Sequence, residues 1–236
     1  MRTSPAAQWR RRAGDATVLD FGLEQSAAIT ASAIQPRGVD GISFITSTPA
    51  GDMPVRLPLP GLHNVANALA AIAVGLACKL SLAQICRGLE SVRPVAGRLR
   101  AVDSASGATL IDDCYNANPG SVRAAIDILA SCDGRRTLML GAMKELGERS
   151  AEFHRQIGEY ARQAGIDQLW GVGEELLDTV KGFGAGGRHF ADRELLVAVL
   201  DGQFGVGDSV LVKGSRSAGM EQVLQALAGD NVEGDN

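Results

Sequence analysis

The period of the hydrophobic pattern changes along the chain, and the change divides it. Up to about residue 60, the runs "TVLDFG", "AAITASAI", "GISFITST" and "MPVRLPL" alternate or run apolar between Gly, Pro and Asp. Such runs predict short strands joined by turns. The basic run "WRRR" (Trp9 to Arg12) ahead of them reads as a solvated turn before a strand. From Leu62 the spacing becomes helical. Leu62, Val65, Ala66, Leu69, Ala70, Ala73, Leu76 and Ala77 follow i, i+3, i+4, i+7, which gives one buried face. Ser81 is a good N-cap for a second helix that turns Leu82, Ile85 and Leu89 inward. "RPVAGR" (Arg93 to Arg98) breaks the pattern as a linker.

Beyond Leu99, apolar runs ("ATLID", "RTLMLG", "QLWGVG", "SVLVKG") alternate with helical patterns near 119–131, 150–165, 174–181, 192–201 and 217–228. Buried strands alternating with helices predict a mostly parallel sheet covered on both faces. The fold class is therefore α/β. A first region of strands plus two helices is followed by a Rossmann-like, doubly wound domain. The polar tail "GDNVEGDN" is expected to fray.

Composition narrows the function without naming it. The 236 residues are 45% hydrophobic and carry a net charge of -4, so a globular core is expected and a nucleic-acid partner is not. No run approaches the roughly 20 apolar residues of a membrane helix, and the N-terminus lacks the apolar core of a signal peptide. Cys78, Cys86, Cys114 and Cys132 show no CxxC pair and no metal-ligand spacing. They lie in or beside apolar segments, as buried or unreactive thiols usually do, which fits a reducing compartment.

In an open parallel sheet, ligands bind beyond the carboxyl ends of the strands. Three polar clusters fall there: "DDCYNANP", "GAMKELGE" and "KGSRS". In the first, Asn118 is placed to cap a helix that starts at Pro119, and for these two residues capping suffices. Asp112 and Asp113 just upstream are suited to ribose hydroxyls or a cation. Together with Tyr115 and Asn116 they exceed what a cap requires. In the last cluster Lys213 ends a strand, Gly214 permits a turn, and Ser215, Arg216 and Ser217 are expected to open the final helix. A carboxylate or phosphate would meet cations, hydroxyls and a helix N-terminus there. "GLHNVANALAA" sets His63, Asn64 and Asn67 on the first turns of the helix beginning at Leu62, where amides could read the edge of a base.

Gly182, Gly184 and Gly187 formally match GxGxxG, but they follow a helix and precede a short strand. The dinucleotide fingerprint needs strand, turn, then helix. No GxxxxGK[ST] phosphate loop occurs in the chain.

The order "GLHNVANALAA", "RPVAGRL", "DDCYNANPGSV", "GAMKELGE", "LVKGSRSAGMEQV" closely resembles the Mur ligase family from about Val18 onward. The "YNANP" and "KGSRS" forms resemble those of the member that adds D-Ala-D-Ala to UDP-N-acetylmuramoyl-tripeptide. The resemblance implies an ATP- and Mg2+-dependent amide-bond-forming ligase of peptidoglycan precursor synthesis, working through an acyl phosphate, monomeric, in the bacterial cytoplasm. It implies that residues 1–97 are the end of a central ATPase domain, that 98–230 are the C-terminal domain, and that 231–236 are a disordered tail. His63, Asn64, Asn67, Arg98 and Asp113 would then serve the nucleotide. Tyr115, Asn116, Asn118, Lys213, Ser215 and Arg216 would serve the dipeptide. The family's UDP-substrate domain, phosphate loop and metal ligands are expected to be missing, leaving no complete active site and a chain inactive alone. Ala142 stands where relatives usually carry Asp. The rival readings are a non-catalytic nucleotide- or amino-acid-binding module and, on fold class alone, a nicotinamide oxidoreductase.

Overall fold

A computed structural model of the chain describes residues 5–23 and 26–229, so the expected tail at 231–236 lies outside the described residues. The chain divides into two compact units, drawn mainly from the residues before and after Arg93; segments 36–41 and 58–61 group with the second.

The first unit corrects two expectations. Trp9 to Arg12 lie inside a helix, α1 (Pro5–Ala13), and form no turn. Ala, Gln and Arg are good helix formers, and Arg10, Arg11 and Arg12 occupy the last turn, where cations oppose the helix dipole. "TVLDFG" forms no strand. Asp20 instead accepts the Ala28 amide at 2.7 Å, and a single parallel bridge joins Phe21 to Ile29. The remaining runs form a three-stranded sheet of β1 (Thr30–Pro36), β2 (Ile42–Thr48) and β3 (Gly51–Leu57), with β2 and β3 antiparallel. Ile42, Phe44, Val55 and Leu57 are buried. Against β3 stands α3 (Leu82–Glu90), and against α3 stands α2 (Leu62–Ala77), burying Val65, Leu69 and Ile72. Ser81 caps α3 in a capping box with Gln84, as its residue type predicts.

The second unit alternates strand and helix: β4 (Arg100–Asp103), β5 (Thr109–Asp113), α4 (Pro119–Ala130), β6 (Arg135–Gly141), α5 (Ser150–Gln163), β7 (Gln168–Val172), α6 (Leu176–Phe183), β8 (Gly187–Phe190), α7 (Arg193–Val197), β9 (Asp208–Lys213) and α8 (Glu221–Ala228). The sheet order is β4-β5-β9-β6-β7-β8, parallel except for β4, which pairs antiparallel with β5. The short edge strand β4, half-buried in alternation, carries no apolar run that would mark it in the sequence.

Period-2 alternation sorts the core into two layers. Ile111, Leu138, Leu140, Leu169 and Leu211 join Val122, Ile126, Ile157 and Phe183 from α4, α5 and α6. Leu110, Met139, Trp170, Val210 and Val212 join Leu196, Val223 and Leu224 from α7 and α8. Both faces are apolar, hence the continuous hydrophobic runs. The chain leaves β5 and β6 toward one face and leaves β9 toward the other. The carboxyl end of β9 therefore sits at a topological switch point, where an open sheet forms its crevice.

The GxGxxG loop is structural. Gly182 lies near the end of α6 and Gly184 just beyond it, while Gly187 opens β8. A Cβ on Gly182 would lie 2.5 Å from the Arg155 carbonyl oxygen, so this glycine serves close packing of α6 on α5. Cys78 is exposed just past α2. Burial raises the thiol pKa of Cys86, Cys114 and Cys132.

Candidate functional site

The site is built from the loops at the carboxyl ends of β5, β6 and β9. Asp113 and Lys213 are register partners on β5 and β9. Lys213 is only 1% exposed; its Nζ donates to Asp113 Oδ2 at 2.6 Å and to the Asn116 carbonyl at 2.7 Å. Burial raises the Asp113 carboxyl above its usual range, and the facing ammonium opposes that rise. Asp112 points the other way along the pleat. Its Oδ2 accepts the Gly97 amide at 2.7 Å, with Arg100 3.8 Å away, and its Oδ1 accepts the Cys114 amide at 3.3 Å.

Gly97 explains how the linker meets this loop. Its φ of +75° suits glycine, and an added Cβ would lie 3.1 Å from both the Tyr115 amide nitrogen and Tyr115 Cβ. The Gly97 carbonyl accepts the Tyr115 amide at 3.1 Å. The Tyr115 side chain is thereby held out from the sheet, 47% exposed. Arg98 Cζ lies 4.4 Å from the Tyr115 ring centroid and Arg216 Cζ 5.8 Å from it. Neither guanidinium is paired with a carboxylate among the described residues, and both are exposed. Two cations gathered at one aromatic ring, neither facing a carboxylate among the described residues, suit an anionic ligand.

The other expected residues divide by what they touch. Asn118 is a cap, accepting the Ser121 amide at 2.9 Å with Pro119 at the first helical position. Asn116 is exposed, and its Oδ1 accepts the Ala117 amide at 2.8 Å. Ser215 is buried; its amide donates to the Ala142 carbonyl at 3.0 Å and its Oγ lies 3.3 Å from Ser217 Oγ. The expected helix start at Ser215–Ser217 is overturned. These residues lead into a 3-10 turn, Arg216–Ala218, and α8 begins only at Glu221. The cause is Gly219, left-handed at φ +61°, with the Arg193 side chain from α7 packed where a Cβ would stand. Ser215 therefore does not open an α-helix. His63, Asn64 and Asn67 belong to the first unit, on the opening turns of α2. Asn67 Nδ2 donates to Asn64 Oδ1 at 3.3 Å.

One polar residue of this region escaped the sequence reading. His154 on α5 is fully buried; its Nε2 accepts the Met143 amide at 3.2 Å and its Nδ1 lies 2.9 Å from the Ser150 carbonyl. The available signal was its place on the buried face with Ile157, Gly158 and Ala161. Among the described residues no three His, Cys, Asp or Glu cluster as metal ligands, and no helix is long and apolar enough to cross a membrane.

Fold and site define a doubly wound α/β domain that presents unpaired cations at its switch point. Residues 97–216 match the family described as Mur ligase, glutamate ligase domain, and residues 2–75 match the Mur ligase middle domain. The chain belongs to the Mur ligase family. The UDP-N-acetylmuramoyl-tripeptide--D-alanyl-D-alanine ligase of Escherichia coli K12 is 44% identical over 191 residues, covering 79% of this chain and 42% of that protein. MurF from Acinetobacter baumannii superposes with a TM-score of 0.83 at 31% identity, covering 97% of this chain and 50% of that one. The MurF ligase of Thermotoga maritima in complex with ADP gives 0.76 at 25% identity, covering 89% and 48%. The chain spans half or less of the length of each of these relatives.

Proposed function

We propose that this chain serves as the C-terminal part of an ATP-dependent ligase that adds D-Ala-D-Ala to UDP-N-acetylmuramoyl-tripeptide in peptidoglycan precursor synthesis. The observation that carries the reading is the pair of exposed, carboxylate-free guanidinium groups on Tyr115, at the switch point of a Mur ligase domain. The likeness to D-Ala-D-Ala-adding ligases supports the choice of substrate.

ATP would supply the phosphoryl group that activates the tripeptide carboxylate. This chain's residues bind and orient. Arg98 neutralises nucleotide phosphate charge, and His63, Asn64 and Asn67 read the adenine edge. Arg216, with the Tyr115 ring and the Asn116 amide beside it, takes the dipeptide carboxylate. Lys213 and Asp113 tie β9 to the loop after β5, Asn118 closes that loop by capping α4, and Ser215 ties the loop after β9 to Ala142. Positioning and charge neutralisation of this kind lower the barrier to acyl and phosphoryl transfer. The described residues offer no cluster fit for Mg2+, so no metal ligand is assigned to this chain. We take the working unit to be a bacterial cytoplasmic monomer, with residues 1–97 as part of its central domain.

The test is a chimera in which this chain replaces the matching half of the Escherichia coli relative. ATP- and D-Ala-D-Ala-dependent release of phosphate, with formation of the UDP-linked pentapeptide, is the expected result. A folded chimera that binds ATP yet makes no pentapeptide overturns the reading.

A further inference from the structure

A backbone hydrogen bond joins the loops after β6 and β9, beside the packing of Ala218 and Met220 on Gly141. The Ala142 carbonyl accepts the Ser215 amide at 3.0 Å, and the next residue, Met143, donates its amide to His154 Nε2 at 3.2 Å. His154 thus stands behind a run of contacts that leads from α5, through Met143 and Ala142, to Ser215 and on to Arg216. Its ring chemistry is settled by its neighbours. Nε2 accepts, so it carries no proton, and Nδ1 holds the ring proton that it donates to the Ser150 carbonyl at 2.9 Å. Met143 is 1% exposed and Ala142 5%, so water has no ready access to take over if the ring is removed. A buried amide without an acceptor costs its full desolvation.

We propose that His154 is a positioning residue for the loop that carries Ser215 and Arg216, acting through the backbone of Met143 and Ala142. It touches no substrate. It fixes the register of the β6 loop against the β9 loop, and so the place from which Arg216 reaches the ligand. The bonds themselves do not depend on the ligase reading; only the effect on dipeptide use rests on it.

Two measurements on the unmodified and substituted chain test the bonds. Long-range nitrogen–proton correlation spectra of the His154 ring should show the Nδ1–H tautomer, and the Nε2–H tautomer or an imidazolium at neutral pH overturns the proposal. Hydrogen exchange should then separate bonding from packing. His154→Phe keeps the volume and loses the acceptor, so exchange at Met143 and Ser215 should quicken about tenfold or more while Leu138 and Leu140 stay protected. His154→Gln keeps an acceptor at similar reach and should restore slow exchange at both. Acceleration at Met143 with Ser215 unchanged, or identical behaviour of the two variants, overturns the relay. Should the Phe variant fail to fold, the ring spectrum and the Gln variant still decide. In the chimera, His154→Phe should raise KM for D-Ala-D-Ala several-fold more than KM for ATP. If exchange behaves as expected and this split does not appear, the ligase assignment of the loop fails and the relay stands.

Discussion

Lys213 and Asp113, 100 residues apart in sequence, face each other at the carboxyl ends of adjacent strands and form a buried ion pair. The same ammonium also holds the Asn116 carbonyl, so one side chain ties β9, β5 and the loop after β5 together. Its burial points to a role in shaping the loop more than in meeting a ligand directly.

Breaking that pair from one side should be severe. Lys213→Met leaves a buried carboxylate without its cation, which typically costs about 3–5 kcal/mol. Adding Asp113→Leu should return much of the loss, because two apolar groups replace two charges. Urea unfolding of the single and double variants measures this. A Lys213→Met variant as stable as the parent would show that the pair is not formed in solution.

Arg98 and Arg216 share the Tyr115 ring but should serve different ligands. In the chimera, Arg98→Ala is expected to raise KM for ATP about tenfold, and Arg216→Ala to do so for D-Ala-D-Ala, each near the 1.5–3 kcal/mol of a charge-assisted bond. Tyr115→Leu should weaken both. Steady-state kinetics with each substrate varied in turn would expose a common loss, which would sink the division of roles.

Gly97→Ala places a methyl group 3.1 Å from Tyr115 at a φ of +75°. The left-handed backbone costs about 1–2 kcal/mol for an L residue, and the contact adds to it. Thermal unfolding should show the drop. Near-ultraviolet circular dichroism should change as Tyr115 shifts. An unchanged melting temperature would mean that the linker avoids this turn.

Acid stability should depend on Asp208. Its carboxyl lies below the usual range because Arg135 donates to it, at 3.0 Å and 2.7 Å, with the Gly205 amide adding a third bond. A carboxyl depressed on folding stabilises above its unfolded pKa of about 3.9, and that contribution is lost as pH falls through the folded value. Asp208→Asn should therefore lower stability at pH 7 and make its fall below about pH 4 shallower. Asp113, raised by burial, acts with the opposite sign: its contribution falls as pH rises from about 3.9 through its folded value. Urea midpoints from pH 3 to 7 for the Asp208 variant check the first sign; parallel curves for variant and parent would contradict it.

Much was legible in the sequence because its physics is local. The helical spacing from Leu62, the caps at Ser81 and at Asn118 with Pro119, and the apolar runs of β5, β6, β7 and β9 each follow from neighbours a few residues away. Strand–helix alternation then implied the parallel sheet, and the carboxyl-end rule pointed to the loops holding Asp113, Tyr115, Lys213 and Arg216. The helix α1 escaped because its few apolar residues leave no stripe to read. The start of α8 escaped because Gly219 turns left-handed with a side chain of α7 packed against it.

Which of these residues meet was beyond any local pattern. The sheet inserts β9, the last strand in the chain, between β5 and β6, the second and third of its domain. That insertion alone brings Lys213 to Asp113, Arg216 to the ring of Tyr115 that Arg98 already covers, and the Ser215 amide to Ala142. The sequence by itself determined the residues, their elements and the end of the sheet on which they lie. Only the tertiary structure decided their partners, because strand order is set by long-range packing of two apolar faces, and no local spacing encodes it.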